Sequence, residues 1–123
     1  MSTYVLRQLK SGNIKLSKIL TFKEVGSIVG RTRNTRHFIY NIKIDDDYRR
    51  QGHGTEMLNV YETLTKYTYN IKQIHLAAWE NISTPNSVKQ FYISNGYVKD
   101  NILPIHFDDT IDFFEINQYY KIL

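Results

Sequence analysis

The 123-residue sequence predicts one α+β domain, residues 1–123, on a mixed and mostly antiparallel sheet with elements in the order ββββαβαββ. Three observations predict it. Four segments before residue 45 carry apolar positions at strand spacing and are divided by short polar turns, as in an antiparallel meander. Met57, Leu58, Tyr61 and Leu64 then fall at helical spacing, directly after a glycine-rich turn. Ile74, Leu76 and Ala78 alternate once more, so strands four and five, joined through a helix, form one parallel βαβ crossover.

In chain order, residues 3–9 and 14–22 read as strands joined by Lys10, Ser11, Gly12 and Asn13, a turn by composition. A short third strand follows over 25–31, a turn over 32–35 and a fourth strand over 36–44. Thr63, Thr65 and Tyr67 within the helix expected over 55–67, and Thr68 just after it, are poor helix formers, so the assignment rests on its apolar period. After the fifth strand comes a polar loop, 80–84. Thr84 then caps a helix whose first residue is Pro85 and which stops at Asn95-Gly96. Two closing strands are expected over 97–100 and 112–121, separated by a loop holding Pro104.

The turn between the fourth strand and the first helix is built for an anion. Ile42 and Ile44 share one strand face, and Gly52 and Gly54 bracket the helix start. The first amides of a helix lack intrahelical partners and sit at the positive end of its dipole, and glycine lets a ligand approach the backbone. No Gly-Lys-Ser/Thr follows, which excludes a P-loop. Met57 stands where a dinucleotide fingerprint needs its third glycine. What remains is Arg/Gln-x-x-Gly-x-Gly/Ala, satisfied by Arg49, Gly52 and Gly54. With Ile42, Ile44, Asp45 and Tyr48 ahead of it, this run resembles the GCN5-related N-acetyltransferases (GNAT), whose loop amides hold the pyrophosphate of acetyl coenzyme A. Phe91-Tyr92-Ile93-Ser94-Asn95-Gly96-Tyr97 is similar to the end of that family's last core helix, and the two motifs tie residues 37–98 to the family.

The resemblance implies an acetyl-CoA-dependent N-acetyltransferase with strands four and five splayed to admit the cofactor. Its contacts would be Ile42, Lys43, Ile44, Arg49, Arg50, Gln51, Gly52, His53, Gly54 and Thr55, with Asn86 and Tyr92 from the last core helix. This chain departs from the family in three places. Pro85 stands where an asparagine is usual, with Asn86 one place late. The loop before that helix is about three residues longer than usual, and the paired helices between strands one and two have no room. These departures leave open an alternative, a catalytically silent acyl-CoA-binding or protein-interaction module.

Direct transfer needs a neutral amine, an oxyanion donor and a proton for the departing thiolate. A lysine-type amine, with a pKa of about 10.4, is mostly protonated at neutral pH, so a base would help. His37, Tyr40 and Glu80 are the candidates, His37 and Tyr40 each having a structural role as the simpler reading. Tyr92 falls where the family places the proton donor to the thiolate, a role suited to a phenol. The oxyanion donor would be a backbone amide near Ile44. With no cysteine there is no thiol nucleophile, so transfer bypasses an enzyme thioester. His53, His75 and His106 show no metal-ligand spacing, and no metal is expected.

A formal charge of +4 permits polyanion binding, but Asp45 to Asp47, Asp108, Asp109, Asp112 and Glu115 break up the basic residues, which argues against a nucleic-acid stripe. Arg31, Arg33 and Arg36 read as solvated. No apolar run spans a membrane and the amino terminus lacks a signal peptide's apolar core, so a cytoplasmic protein is expected. The expected partner is an amine acceptor, a protein lysine or amino terminus or a polyamine. Without the paired helices the acceptor cleft would be open, which favours either a protein amine or a second subunit that completes the wall. Asp108, Asp109 and Asp112 would either steer a cationic acceptor to it or form a solvated hairpin tip.

Overall fold

The computed structural model describes residues 2–81, 87–100, 105–108 and 113–123. They group into two compact units, residues 1–74 with Leu123 and residues 75–122.

The first unit holds the meander β1 (Ser2–Gln8), β2 (Ile14–Leu20), β3 (Lys23–Arg33) and β4 (Arg36–Ile44), each strand antiparallel to the next. The β1–β2 turn closes through Leu9 N–H to Asn13 O at 2.7 Å, with Gly12 at φ 89°. β2 ends two residues before the expected boundary. Leu20 pairs with Lys23, so Thr21 and Phe22 are the two central residues of a tight hairpin, at φ 47° and 63°. Phe22 reads as a strand residue by type, yet it stands fully exposed at the turn tip. β3 runs two residues further than expected at its other end, because Thr32 pairs with His37 and Arg33 with Arg36, leaving Asn34 to take the left-handed φ of 59°.

β4 has the expected boundaries and contains a bulge. Val29 lies opposite Asn41 and Gly30 opposite Ile39, so Tyr40 is the extra residue and projects half-exposed. A bulge resets the alternation of a strand. His37 and Ile39 before it, and Ile42 and Ile44 after it, therefore share the face toward the helix.

Helix α1 (His53–Thr68) starts two residues earlier than its apolar period suggests, since Gly52 serves as N-cap at φ 82° and His53 and Gly54 form the first turn. Met57, Leu58, Tyr61, Glu62 and Thr65 are its buried residues, so polar Glu62 and Thr65 occupy part of the stripe and Leu64 is half-buried. Tertiary burial of the stripe outweighs the poor propensity of the threonines, whose hydroxyls bond back to the carbonyl four residues earlier, Thr63 to Asn59 O and Thr65 to Tyr61 O, both at 2.9 Å. Two glycines let β3 approach α1. A Cβ on Gly26 would meet Met57 Sδ at 3.1 Å, and one on Gly30 would meet the Tyr61 hydroxyl. Ile14, Leu16, Ile28, Ile39, Met57, Leu58, Tyr61, Ile71 and Ile74 form the apolar interior.

β5 (Gln73–Asn81) begins in the first unit and continues into the second, where it neighbours β8 (Phe113–Ile122). β8 also pairs antiparallel with the two-residue β6 (Val98–Lys99) and with β7 (Ile105–Asp108). β7 is a correction to the sequence reading, which expected a loop there. Ile105 and Phe107 alternate with His106 and Asp108, but neighbouring Pro104 and the adjacent aspartates outweigh so short a pattern.

Helix α2 (Ser87–Ser94) ends in a Schellman motif. Tyr97 N–H bonds Tyr92 O at 3.0 Å, Gly96 N–H bonds Ile93 O at 3.0 Å, and Gly96 sits at φ 88°. Lys121 Nζ adds a bond to Asn95 O at 2.8 Å. No helix among the described residues is long and apolar enough to cross a membrane.

Candidate active site

The β4–α1 turn is assembled by its own residues. Asp45 N–H bonds Val25 O at 2.9 Å, and Asp46–Tyr48 form a single 3-10 turn. Arg49 bends back so that Nε reaches Ile44 O at 3.3 Å and its outer nitrogen pairs with Asp46 at 3.1 Å. Gln51 caps Asp47 O at 3.1 Å, and Arg50 takes a left-handed φ of 61°. Lys23 packs its ammonium over the Tyr48 ring and pairs with Asp45 at 3.6 Å, which fixes the β2–β3 hairpin beside the turn.

The first intrahelical donor is Glu56 N–H, to Gly52 O at 3.1 Å. The amides of His53 and Gly54 therefore precede the ladder and point out of the helix end. Among the described residues, none beyond its chain neighbours lies within 4 Å of a Cβ placed on Gly52, so the space beside the N-cap is open. The His53 ring lies edge-on to Tyr48, its Nδ1 buried and without a hydrogen-bond partner among the described residues. The structure thus brings together Ile42, Lys43, Ile44, Arg49, Arg50, Gln51, Gly52, His53, Gly54 and Thr55 as one strand end, one turn and one helix start. The arrangement suits a di-anionic phosphate group, held by backbone rather than side chain.

One charged cluster beside this turn carries no sequence signal, because its members come from three elements. On the first turn of α1, Glu56 accepts a 2.6 Å hydrogen bond from the Tyr4 hydroxyl on β1 and pairs with Lys18 on β2 at 3.1 Å. Lys18 is 1% exposed, with its ammonium 5.7 Å from the centre of the Tyr4 ring. The Tyr4 hydrogen bond first, then the Lys18 contact, hold the Glu56 carboxyl below its ordinary range. Burial, then the carboxylate, push the Tyr4 phenol upward.

His37 is fully buried. Nδ1 lies 2.9 Å from Thr32 Oγ1, and Nε2 meets the Tyr61 hydroxyl. Burial lowers its pKa from 6.5 to about 4 and raises that of Tyr61. With both nitrogens engaged and no solvent access, this placement favours the structural role of His37 over that of a base. A histidine buried neutral destabilises the fold once it must charge. Its contribution is present above pH 6.5, the unfolded value, and is lost as pH falls toward about 4. The thermal midpoint should therefore drop across that window, and His37→Gln should flatten the drop; equal slopes for the two proteins would show that another group controls it.

In the second unit Tyr92 is half-buried within an aromatic cluster, 5.9 Å from Tyr97 and 5.4 Å from Tyr119 between ring centres. The spacing from Tyr92 to Tyr97 is that of the Schellman motif, so the second sequence motif has a mechanical basis in addition to any chemical one. Asn86, Asp109 and Asp112 lie outside the described residues. Glu80 falls on β5 and Asp108 ends β7, their side chains outside the description.

Among protein families, the acetyltransferase (GNAT) domain matches residues 17–99. No curated protein matches the sequence significantly. Among solved structures, the chain is similar to the ribosomal-protein-S18-alanine N-acetyltransferase of Escherichia coli, with TM-score 0.78 and 16% identity over 94% of this chain and 72% of that one. A Bacillus anthracis protein named as a streptothricin acetyltransferase, in complex with acetyl coenzyme A, gives TM-score 0.69 and 22% identity over 91% of this chain and 63% of that one. A spermidine N-acetyltransferase chimera from Vibrio cholerae gives TM-score 0.74 and 14% identity over 92% and 69%. The chain thus spans less than two thirds of the length of the Bacillus protein. These likenesses show the fold expected from the sequence, an α+β domain on a mixed sheet.

Proposed function

We propose an activity for this chain on one premise: it belongs to the acetyltransferase (GNAT) domain family. The activity is direct transfer of an acetyl group from acetyl coenzyme A to a primary amine. The observation that carries it is the glycine-capped start of α1 at the end of β4, whose outward amides suit the cofactor's pyrophosphate. Arg49 supports the loop more than the ligand, since its guanidinium is already engaged by Ile44 O and Asp46.

The chemistry then needs little from side chains. The amine attacks the thioester carbonyl, and its oxygen gains negative charge that a backbone amide near Ile44 would meet. The carbon–sulfur bond breaks, and the sulfur leaves as a thiolate that takes a proton. Tyr92 is our proposed donor, being half-exposed and held by its aromatic neighbours. Tyr92→Phe keeps the ring and the capping motif and removes only the hydroxyl. Turnover should fall about a hundredfold with the Michaelis constant for acetyl coenzyme A little changed. A stable phenylalanine variant at full rate would eliminate the role. Glu80 stays a proposed base, together with the acceptor's own desolvation.

The acceptor is proposed to be a protein amine or a polyamine. The structural neighbours are named for ribosomal protein S18 alanine, spermidine and streptothricin, so likeness alone does not choose among them. The β1–β2 turn closes within residues 9–13 and provides no wall for a small molecule, which favours a large acceptor or a second copy completing the site. Asp108, Asp109 and Asp112 would attract a cationic acceptor. The deciding experiment measures acetyl coenzyme A consumption with a panel of amines and lysate proteins, followed by mass spectrometry of labelled products. Tight binding of coenzyme A with no turnover on any acceptor would instead favour the silent acyl-CoA-binding module.

A further inference from the structure

A carboxylate stands where the proposed site needs positive potential. Glu56 is the fourth residue of α1, and its amide is the first to bond within the helix. An acidic side chain in a first turn ordinarily settles toward the unpaired amides of that turn. Those are the groups proposed above to hold pyrophosphate. Here the side chain is taken up by two neighbours on the sheet, one on each oxygen: Tyr4 on Oε1 at 2.6 Å and Lys18 on Oε2 at 3.1 Å. The two neighbours face each other across the β1–β2 ladder, Tyr4 opposite Lys18. Lys18 is 1% exposed, and a lysine brought out of water to that degree requires a counter-charge.

We propose that Lys18 and Tyr4 are positioning residues that hold the Glu56 carboxylate away from the start of α1 and cancel its charge, so that the helix end stays open to a diphosphate. This rests on the β4–α1 turn being the coenzyme A site. A purely structural ion pair, one that only fastens α1 to the sheet, would look the same in a single structure but responds differently to substitution. If the pair is only a fastener, removing either partner weakens it equally. If Lys18 acts by restraining and neutralising Glu56, only the variant that leaves the carboxylate unbalanced harms the ligand.

The test measures the dissociation constant of coenzyme A by calorimetry, and the melting temperature, for the full chain and for Lys18→Met, Glu56→Gln, the double variant and Tyr4→Phe. Lys18→Met should weaken binding about tenfold, the order expected for an unbalanced charge at a helix start. Glu56→Gln should melt lower, because buried Lys18 loses its counter-charge, yet bind coenzyme A as tightly as the unsubstituted protein or more tightly. The double variant should recover to within about threefold of the unsubstituted protein. Where Lys18→Met does not fold, Tyr4→Phe serves in its place, expected to weaken binding about threefold and to be rescued by Glu56→Gln.

A double variant as weak as Lys18→Met, or Glu56→Gln weakened to the same degree, would overturn the proposal. Failure of the unsubstituted protein to bind coenzyme A would overturn the site assignment and this inference with it. Normal binding by both Lys18→Met and Tyr4→Phe, alongside loss of binding on substitution of Gly54, would overturn this inference alone.

Discussion

Gly54→Glu should abolish coenzyme A binding while leaving the protein folded. Position 54 is the second residue of α1, in the turn whose amides precede the intrahelical ladder. A glutamate there suits the helix by both propensity and charge, since glycine is a poor helix former and an acid complements the dipole at this end. The same charge fills the place proposed for the pyrophosphate and repels it. Stability and binding should therefore move in opposite directions, with a melting temperature unchanged or raised and affinity at least a hundredfold weaker, roughly the sum of lost amide bonds and added repulsion. Arg49→Ala should cost far less, because the amides remain. Calorimetry showing unchanged affinity in the folded glutamate variant would refute the assignment of this turn.

The second large effect is expected on stability. Gly30→Ala would place a Cβ within 3 Å of His37 Nε2, the Tyr61 hydroxyl and the Phe38 carbonyl oxygen. Two of those atoms form the buried His37–Tyr61 bond, and the third is backbone, so none can yield without breaking a contact or shifting β4. Overpacking and a lost buried hydrogen bond together should cost about 3 kcal/mol and lower the melting temperature by about 10 °C. A change below about 1 kcal/mol in chemical denaturation would mean that β3 and β4 separate more readily than this packing implies.

Much of the β4–α1 turn could be read from the chain because local rules decide it. β4 ends and α1 begins within two residues of the expected boundaries, since the apolar strand pattern, the αL-tolerant glycine and the helical period all change over at the same place. Phe22 was misplaced because residue type suggested a strand, whereas the hairpin geometry that excludes it depends on the register of its neighbours. β7 was missed because four alternating residues beside a proline give too little pattern. The burial of His37 depends on Gly30 across the ladder and Tyr61 on the helix, and the Tyr4–Lys18–Glu56 cluster joins residues as much as 52 positions apart. Contacts of that separation follow from pairing and packing, which no local pattern records.

The tight turn between β1 and β2 has a consequence for how acceptor preference could change. In the meander it shares an end with the β3–β4 hairpin, while the β2–β3 hairpin lies at the other end beside the anion turn. Loop-closure entropy grows only with the logarithm of length, so splicing about 20 residues into this turn should cost roughly 1.6 kcal/mol before the insert forms any contact. A helical pair of ordinary packing quality can offset that amount. Under the proposed activity the turn is thus a port at which a wall for a chosen amine can be grafted, with selectivity redesigned at one end of the sheet and the residues proposed to hold phosphate at the other left untouched.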